Sequence, residues 1–372
     1  MQVLVAPDSF GGTLTAREVS AAFAEGWRAV RPGDVVRQLP LSDGGEGLID
    51  VLAGLHPAAR TTRIEVAGTD TRPVQAPLLW LDARTVVLES ATICSLPPVG
   101  VPRSPLEASS YGVGQALAHV VAEGAQHVVL GLGGTGVVDA GSGALNGLGM
   151  RLRTEDGSGL RVGSGDLARC TAVESGWSVW PLQGVTLQLL ADTDIALGDA
   201  VIRFGPQKGV TPGQVGPLSD ALATWSQVLT EAFPGPVDAA TPHTGAAGGL
   251  GFALAVALGG EFVPGAEWVA EQAGLDAAVG AADLVVTGEG RLDATTSTGK
   301  VVGRVLASAK RQGRASAAVV GTVAPGTPEA LGLAADRIVT ARADGPGPAA
   351  VVAVREAGRT LAQRITSVHS SS

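Results

Sequence analysis

The stretch "VLVAPDSFGGTLTAREV", residues 3–19, runs as an apolar strand, stops at Asp8, turns through Ser9, Gly11, Gly12 and Thr13, and enters a helix. Thr15 and Glu18 fit a capping box, and Val19, Phe23, Trp27 and Val30 recur at helical spacing, so both the helix start and its buried stripe are legible. A strand, a small-residue turn and a helix in that order gather backbone N–H groups at a helix N-terminus, where an anion is favoured. The turn itself carries no lysine or arginine.

The same style recurs along the chain. "VVRQL", "HVVLGL", "LQLLAD", "DLVVTG" and "SAAVVG" are apolar runs that each end at glycine or a polar turn, the pattern of parallel α/β sheets. Residues 61–90 differ: they are β-rich, with alternating residues and turn signals at Gly68 and Pro73, and a second domain begins there. "ADLVVTGEGRLD", a helix from Thr298, "SAAVVG" and a last helix from about Pro348 return to the first style. This order predicts an α/β protein in two domains. Residues 1–60 and 280–372 form a Rossmann-like or flavodoxin-like parallel-sheet domain, and a second α/β domain, 61–279, is inserted into it.

Composition narrows the function. The 372 residues are 45% hydrophobic, enough for a large core, and the 53 glycines point to tight turns and close backbone approaches. A formal net charge of -9 argues against nucleic acid or an anionic membrane as a partner, because no excess of cations exists to attract either. Cys94 and Cys170 lie far apart, and the five histidines are scattered, so neither a disulfide framework nor a thiolate metal site is indicated. "MQVLVAPDSF" lacks the basic start of a signal peptide, and "AAGGLGFALAVALGG" is too short and glycine-broken to span a bilayer, so a cytoplasmic protein is expected.

Several stretches carry chemistry. "LSDGGEG", residues 41–47, places Asp43 and Glu46 around Gly44 and Gly45 just after a strand, where carboxylates suit Mg2+ or a hydroxyl proton. "GLGGTGVVDAGSGALNGLG", residues 131–149, offers the N–H groups of Gly133, Gly134 and Thr135 to phosphates, although it is neither GxGxxG nor a Walker A loop. "RFGPQKG" supplies Lys208, and "TGEGRLDATTSTGK" supplies Glu289, Arg291, Asp293 and Lys300 after a strand. Such mixed charges serve phosphoryl transfer: cations offset the moving phosphoryl group, while carboxylates hold metal or accept a proton.

Taken in order, "APDSF", "SDGGEG", "GLGG", "FGPQKG", "GAAGGLG" and "TGEGRLD...GK" resemble the glycerate kinase family over residues 6–300. The resemblance implies two α/β domains with the active site in their cleft, ATP and Mg2+, and transfer of the γ-phosphoryl of ATP to a hydroxyl of D-glycerate. The product would be 2-phosphoglycerate, with 3-phosphoglycerate as the alternative. It marks Asp8, Ser9, Asp43, Gly44, Gly45, Glu46, Gly133, Gly134, Asp139, Asp192, Lys208, Glu289, Arg291, Asp293 and Lys300 as matching the family's motifs.

The chain also departs from that pattern. Where the family usually reads Asp-Ser-Phe/Tyr-Lys, this chain has Gly11. Val138 stands where an amide side chain is usual, Ile195 and Ala196 replace part of Asp-Val-x-Asn-Pro-Leu, and Thr295 takes the place of a glutamine. Arg17, Lys208, Arg291 and Lys300 are the cations available to compensate. The departures leave two further readings beside the glycerate kinase: a kinase of a related small hydroxy acid, and a catalytically silent relative that binds a nucleotide or small acid.

Overall fold

The structure is a computed structural model describing residues 1–96, 104–174, 184–293, 296, 300–325, 327, 331–342 and 345–369. The chain begins with strand β1 (Gln2–Val5), the helix Ala16–Val30 and β2 (Val35–Gln38). After the helix Leu48–Leu55 come β3 (Arg60–Ala67), β4 (Pro73–Trp80), β5 (Thr85–Glu89), β6 (His127–Gly131), β7 (Arg151–Arg153), β8 (Ala172–Glu174), β9 (Thr186–Ala191) and β10 (Glu261–Pro264). It ends with β11 (Leu284–Leu292), β12 (Ala315–Val323), β13 (Ile338–Thr340) and the helix Pro348–His369. Two compact units result: Met1–Asp43 with Asp50–Leu55 and Pro264–Ser372, and Gly44–Ile49 with His56–Val263.

The first unit is built on a five-stranded sheet of order β13-β12-β11-β1-β2, parallel throughout. Crossover helices cover both faces of such a sheet, which is why its strands read as continuous apolar runs. Val3, Val5, Val286 and Val319 pack on one face with Phe23 and Trp27 of the first helix and Leu361 of the last. Ala318 and Val320 point the other way, to Val302 and Leu306 of the helix Val301–Arg311. The capping box of Thr15 and Glu18 forms as its sequence signature requires. Helices Gly265–Gln272 and Leu275–Gly280 belong to this unit, where Arg304 pairs with Asp276 at 3.0 Å and with Glu267.

Strand order fixes where a ligand fits. From β1 the chain moves to β2 on one side, while β11, β12 and β13 progress to the other. The crevice outside the carboxyl ends of β1 and β11 is therefore the topological switch point, the place where open α/β sheets bind ligands.

The second unit has a six-stranded sheet of order β10-β9-β6-β5-β4-β3. The β-rich 61–90 stretch forms its antiparallel part, β3 to β5, and β5, β6 and β9 run parallel. Leu88, Leu130, Leu189, Phe252 and Trp225 share its core, and the indole N–H of Trp225 donates to the Ala140 carbonyl at 3.0 Å. The glycine-broken apolar run becomes the helix Leu250–Leu258, almost wholly buried in that core. Among the described residues no helix is long and apolar enough to cross a membrane.

Candidate functional site

A cavity of about 860 Å3 lies at the carboxyl edge of the parallel sheet in the first unit. β1 leads to Asp8, Ser9 and Gly11, and the chain beyond β2 contributes Asp43. β11 supplies Glu289, Arg291 and, just past its end, Asp293. β12 supplies Gly321 and Thr322, while Ala341 and Arg342 follow β13. Lys300, at the N-cap of the helix Val301–Arg311, completes the polar wall.

The carboxylates of this wall stand close enough to disturb one another. Asp8 N–H donates to the Gly288 carbonyl at 2.8 Å, which carries the β1–β11 pairing into the turn, and its own carboxylate accepts the Ser9 N–H at 2.6 Å. Burial, followed by the charge of Asp43, pushes the Asp8 carboxyl well above the usual carboxylate range; Glu289 adds to this, and the Ser9 N–H and Lys300 oppose it. Glu289 is only 9% exposed and accepts the Thr296 hydroxyl at 2.6 Å. Burial raises its pKa too, against the Thr296 bond and Lys300 and with help from Asp293 and Asp43. Arg291 is exposed and pairs with Asp293 at 3.3 Å. Perturbed acids gathered with cations in one cavity make this wall the candidate site.

The other expected site residues lie in the second unit. The two glycine loops stack backbone on backbone there: a Cβ at Gly131 would lie 2.3 Å from the Gly44 carbonyl oxygen, and one at Gly133 would lie 2.6 Å from the Gly45 Cα. Glycine is thus required by close approach. Glu46 is exposed, Thr135 is buried, and Gly134 faces Ala91 and Glu46. Glu89, at the end of β5, accepts the Gly47 and Ile49 N–H groups at 2.9 and 3.1 Å. N–H groups at the start of the helix Leu48–Leu55 are therefore held by a carboxylate of the protein itself. Sequence reasoning missed Glu89, whose signal was a carboxylate closing the apolar run "TVVLE".

Lys208 and Asp139 were expected at the ligand, but the structure buries both. Lys208 is 3% exposed and donates to the Val137 carbonyl at 2.8 Å and to Thr135 Oγ1 at 3.4 Å. Burial pulls its ammonium down to about 8, against the charge of Asp139. Asp139 accepts the Ser110 N–H and hydroxyl at 2.7 and 2.9 Å and the N–H groups of Gly141 and Gly143. Burial raises its pKa, and these bonds oppose the rise. Both side chains tie the 133–143 loop together from inside.

Asp192 is half-buried at the start of a loop that Gly245 anchors through the Ile195 carbonyl at 2.9 Å, and Ala196 is half-buried in the same loop. Val138 is fully buried among the core residues, while Thr295 lies outside the described residues. Arg17 pairs with Asp50 at 3.3 Å and does not line the cavity. Arg342 does line it and was missed; it follows a strand of only three residues, too short to stand out as apolar periodicity.

A doubly covered parallel sheet that brings paired acids and several cations to its switch point makes an α/β protein with a charged ligand crevice. The glycerate kinase family model matches residues 3–370, and the chain belongs to that family. The glycerate kinase of Halalkalibacterium halodurans is 34% identical over 330 residues, covering 87% of this chain and 86% of that protein. The glycerate 2-kinase of Escherichia coli is 30% identical over 328 residues, with 87% and 86% covered. A crystal structure assigned to glycerate kinase 2 of Salmonella typhimurium LT2 superposes with a TM-score of 0.76 at 30% identity, covering 100% of this chain and 99% of that one.

Proposed function

We propose that the protein is an ATP-dependent kinase that phosphorylates a hydroxyl of D-glycerate and gives 2-phosphoglycerate. One observation carries this reading: the switch-point cavity holds Asp8, Asp43 and Glu289 together with Lys300 and Arg291, in a chain whose relatives include glycerate kinases. Phosphoryl transfer asks a protein mainly for positioning and for charges placed where charge develops. Asp8, at the turn after β1, orients the acceptor hydroxyl. Lys300 and Arg291 offset the negative charge of the reacting groups.

The donor set also fits Mg2+. Burial chiefly raises Asp8 and Glu289, the charge of Asp43 adds to both, and a hard cation beside these carboxylates offsets that charge. The described residues contain no cluster of three or more metal-ligating side chains, and Mg2+ is commonly held by only one or two carboxylates plus phosphate oxygens and water. Asp43 and Glu289 would hold it, and it would neutralise charge on the phosphates of ATP.

The test is ADP formation from Mg-ATP with and without D-glycerate, followed by identification of the product. Glycerate-dependent turnover giving 2-phosphoglycerate is expected, with a loss of about 100-fold or more in kcat for Asp8→Asn. Turnover on a different hydroxy acid alone would remove the assigned acceptor. No turnover on any acid, with ATP still bound, would leave a binding protein.

A further inference from the structure

The cavity wall carries three cations, and two of them already face carboxylates. Arg291 is paired with Asp293 at 3.3 Å, and the charge of Lys300 acts on both Asp8 and Glu289. Arg342 differs: it is exposed, lines the cavity from the end of β13, and makes no hydrogen bond or ion pair among the described residues. An arginine with its planar fork open to a cavity of otherwise acidic character is suited to a bidentate grip on carboxylate or phosphate oxygens.

The turn after β1 provides a second, independent observation. Ser9 and Gly11 line the same cavity, and the turn has no cation of its own. A Cβ built on Gly11 meets nothing within 4 Å, and of the two adjacent glycines only Gly12 has a positive φ, +66°. The space beside Gly11 is open, so the charge that binds an anion here has to come from another element of the sheet edge.

We propose that Arg342 is the anion-binding residue of this cavity, gripping a carboxylate or phosphate oxygen of the substrates from the β13 side. The proposal rests on reading the cavity as the substrate site of a kinase. It adds a specificity-determining residue supplied by the far edge of the sheet. Both ATP and a hydroxy acid carry the required oxygens, and separate measurements on each distinguish the two sources.

The experiment measures Kd for ADP and for D-glycerate separately, by calorimetric titration of the full chain, in the wild type and in Arg342→Ala, Arg342→Lys and Arg342→Ala/Gly11→Lys. Arg342→Ala is expected to weaken one of the two ligands by about 10- to 100-fold, the range of a lost charge-assisted hydrogen bond, and to leave the other within about threefold. Arg342→Lys should lie between wild type and alanine, because it keeps the charge and loses the fork. The double variant should recover about tenfold, since a lysine at position 11 enters open space and restores a cation; a merely structural role for Arg342 would give no such rescue.

Unchanged Kd values for both ligands in Arg342→Ala would overturn the proposal, as would a wild type that binds neither. Turnover is read in parallel. A wild type that binds an anion through Arg342 but phosphorylates no acid would sink the kinase reading and leave this one standing.

Discussion

Replacing Glu89 tests how the second unit holds its glycine loops. The two carboxylate oxygens of Glu89 take the Gly47 and Ile49 N–H groups at 2.9 and 3.1 Å, and the side chain is 4% exposed. Hydrogen bonds to a charged group contribute about 1.5–3 kcal/mol each, so Glu89→Ala, which removes both and leaves buried donors without a partner, should cost about 3–5 kcal/mol. In Glu89→Gln one oxygen still accepts while an amide NH2 meets the other N–H, so the loss should be about half as large. For a unit of this size about 1 kcal/mol corresponds to ~2–4 °C in Tm, and the alanine variant should melt roughly 6–20 °C lower. Differential scanning calorimetry of the three proteins reads this directly. Asp43 immediately precedes the loop, so kcat should fall along with Tm. An alanine variant within about 2 °C of wild type, or a glutamine variant as damaged as alanine, would refute the reasoning.

Two further outcomes are expected. Lys208 titrates at about 8 when folded and near 10.5 when unfolded, so between those values the unfolded chain binds more protons and stability rises with pH; Lys208→Met should flatten a rise of ~2 kcal/mol between about pH 8 and 9.5 in urea titrations, and an unaltered slope would contradict the buried placement. Val138→Asn should cost about 2–4 kcal/mol by burying an amide in the apolar core without improving turnover; a gain in kcat would mean that position 138 meets the substrate.

Much of the first unit was legible because its determinants are local. The Thr15–Glu18 capping box, the Val19, Phe23, Trp27 stripe and the apolar strands ending at glycine act over a few residues, and each appears as read. The antiparallel β3–β5 region was visible for the same reason, through alternation and turn residues. Asp8, Asp43, Glu289, Asp293 and Lys300 stood out as charges beside glycines after strands, and the parallel sheet brings all five to one cavity.

Other assignments depended on partners far away in the chain. Lys208 looked like a free cation on a Gly-Pro turn, but its partner at Val137 is 71 residues distant and draws it into the core. Glu89 earns its importance from N–H groups about 40 residues earlier, and Arg342 from its position at the edge of a sheet whose central pair, β1 and β11, is about 280 residues apart in sequence. By itself the sequence determined the longer parallel strands, the first helix and the family, since periodicity, caps and motif order are carried by neighbouring residues. Tertiary structure alone decided which charges face the cavity and which are buried, because desolvation and pairing energies exist only once distant segments have closed on one another.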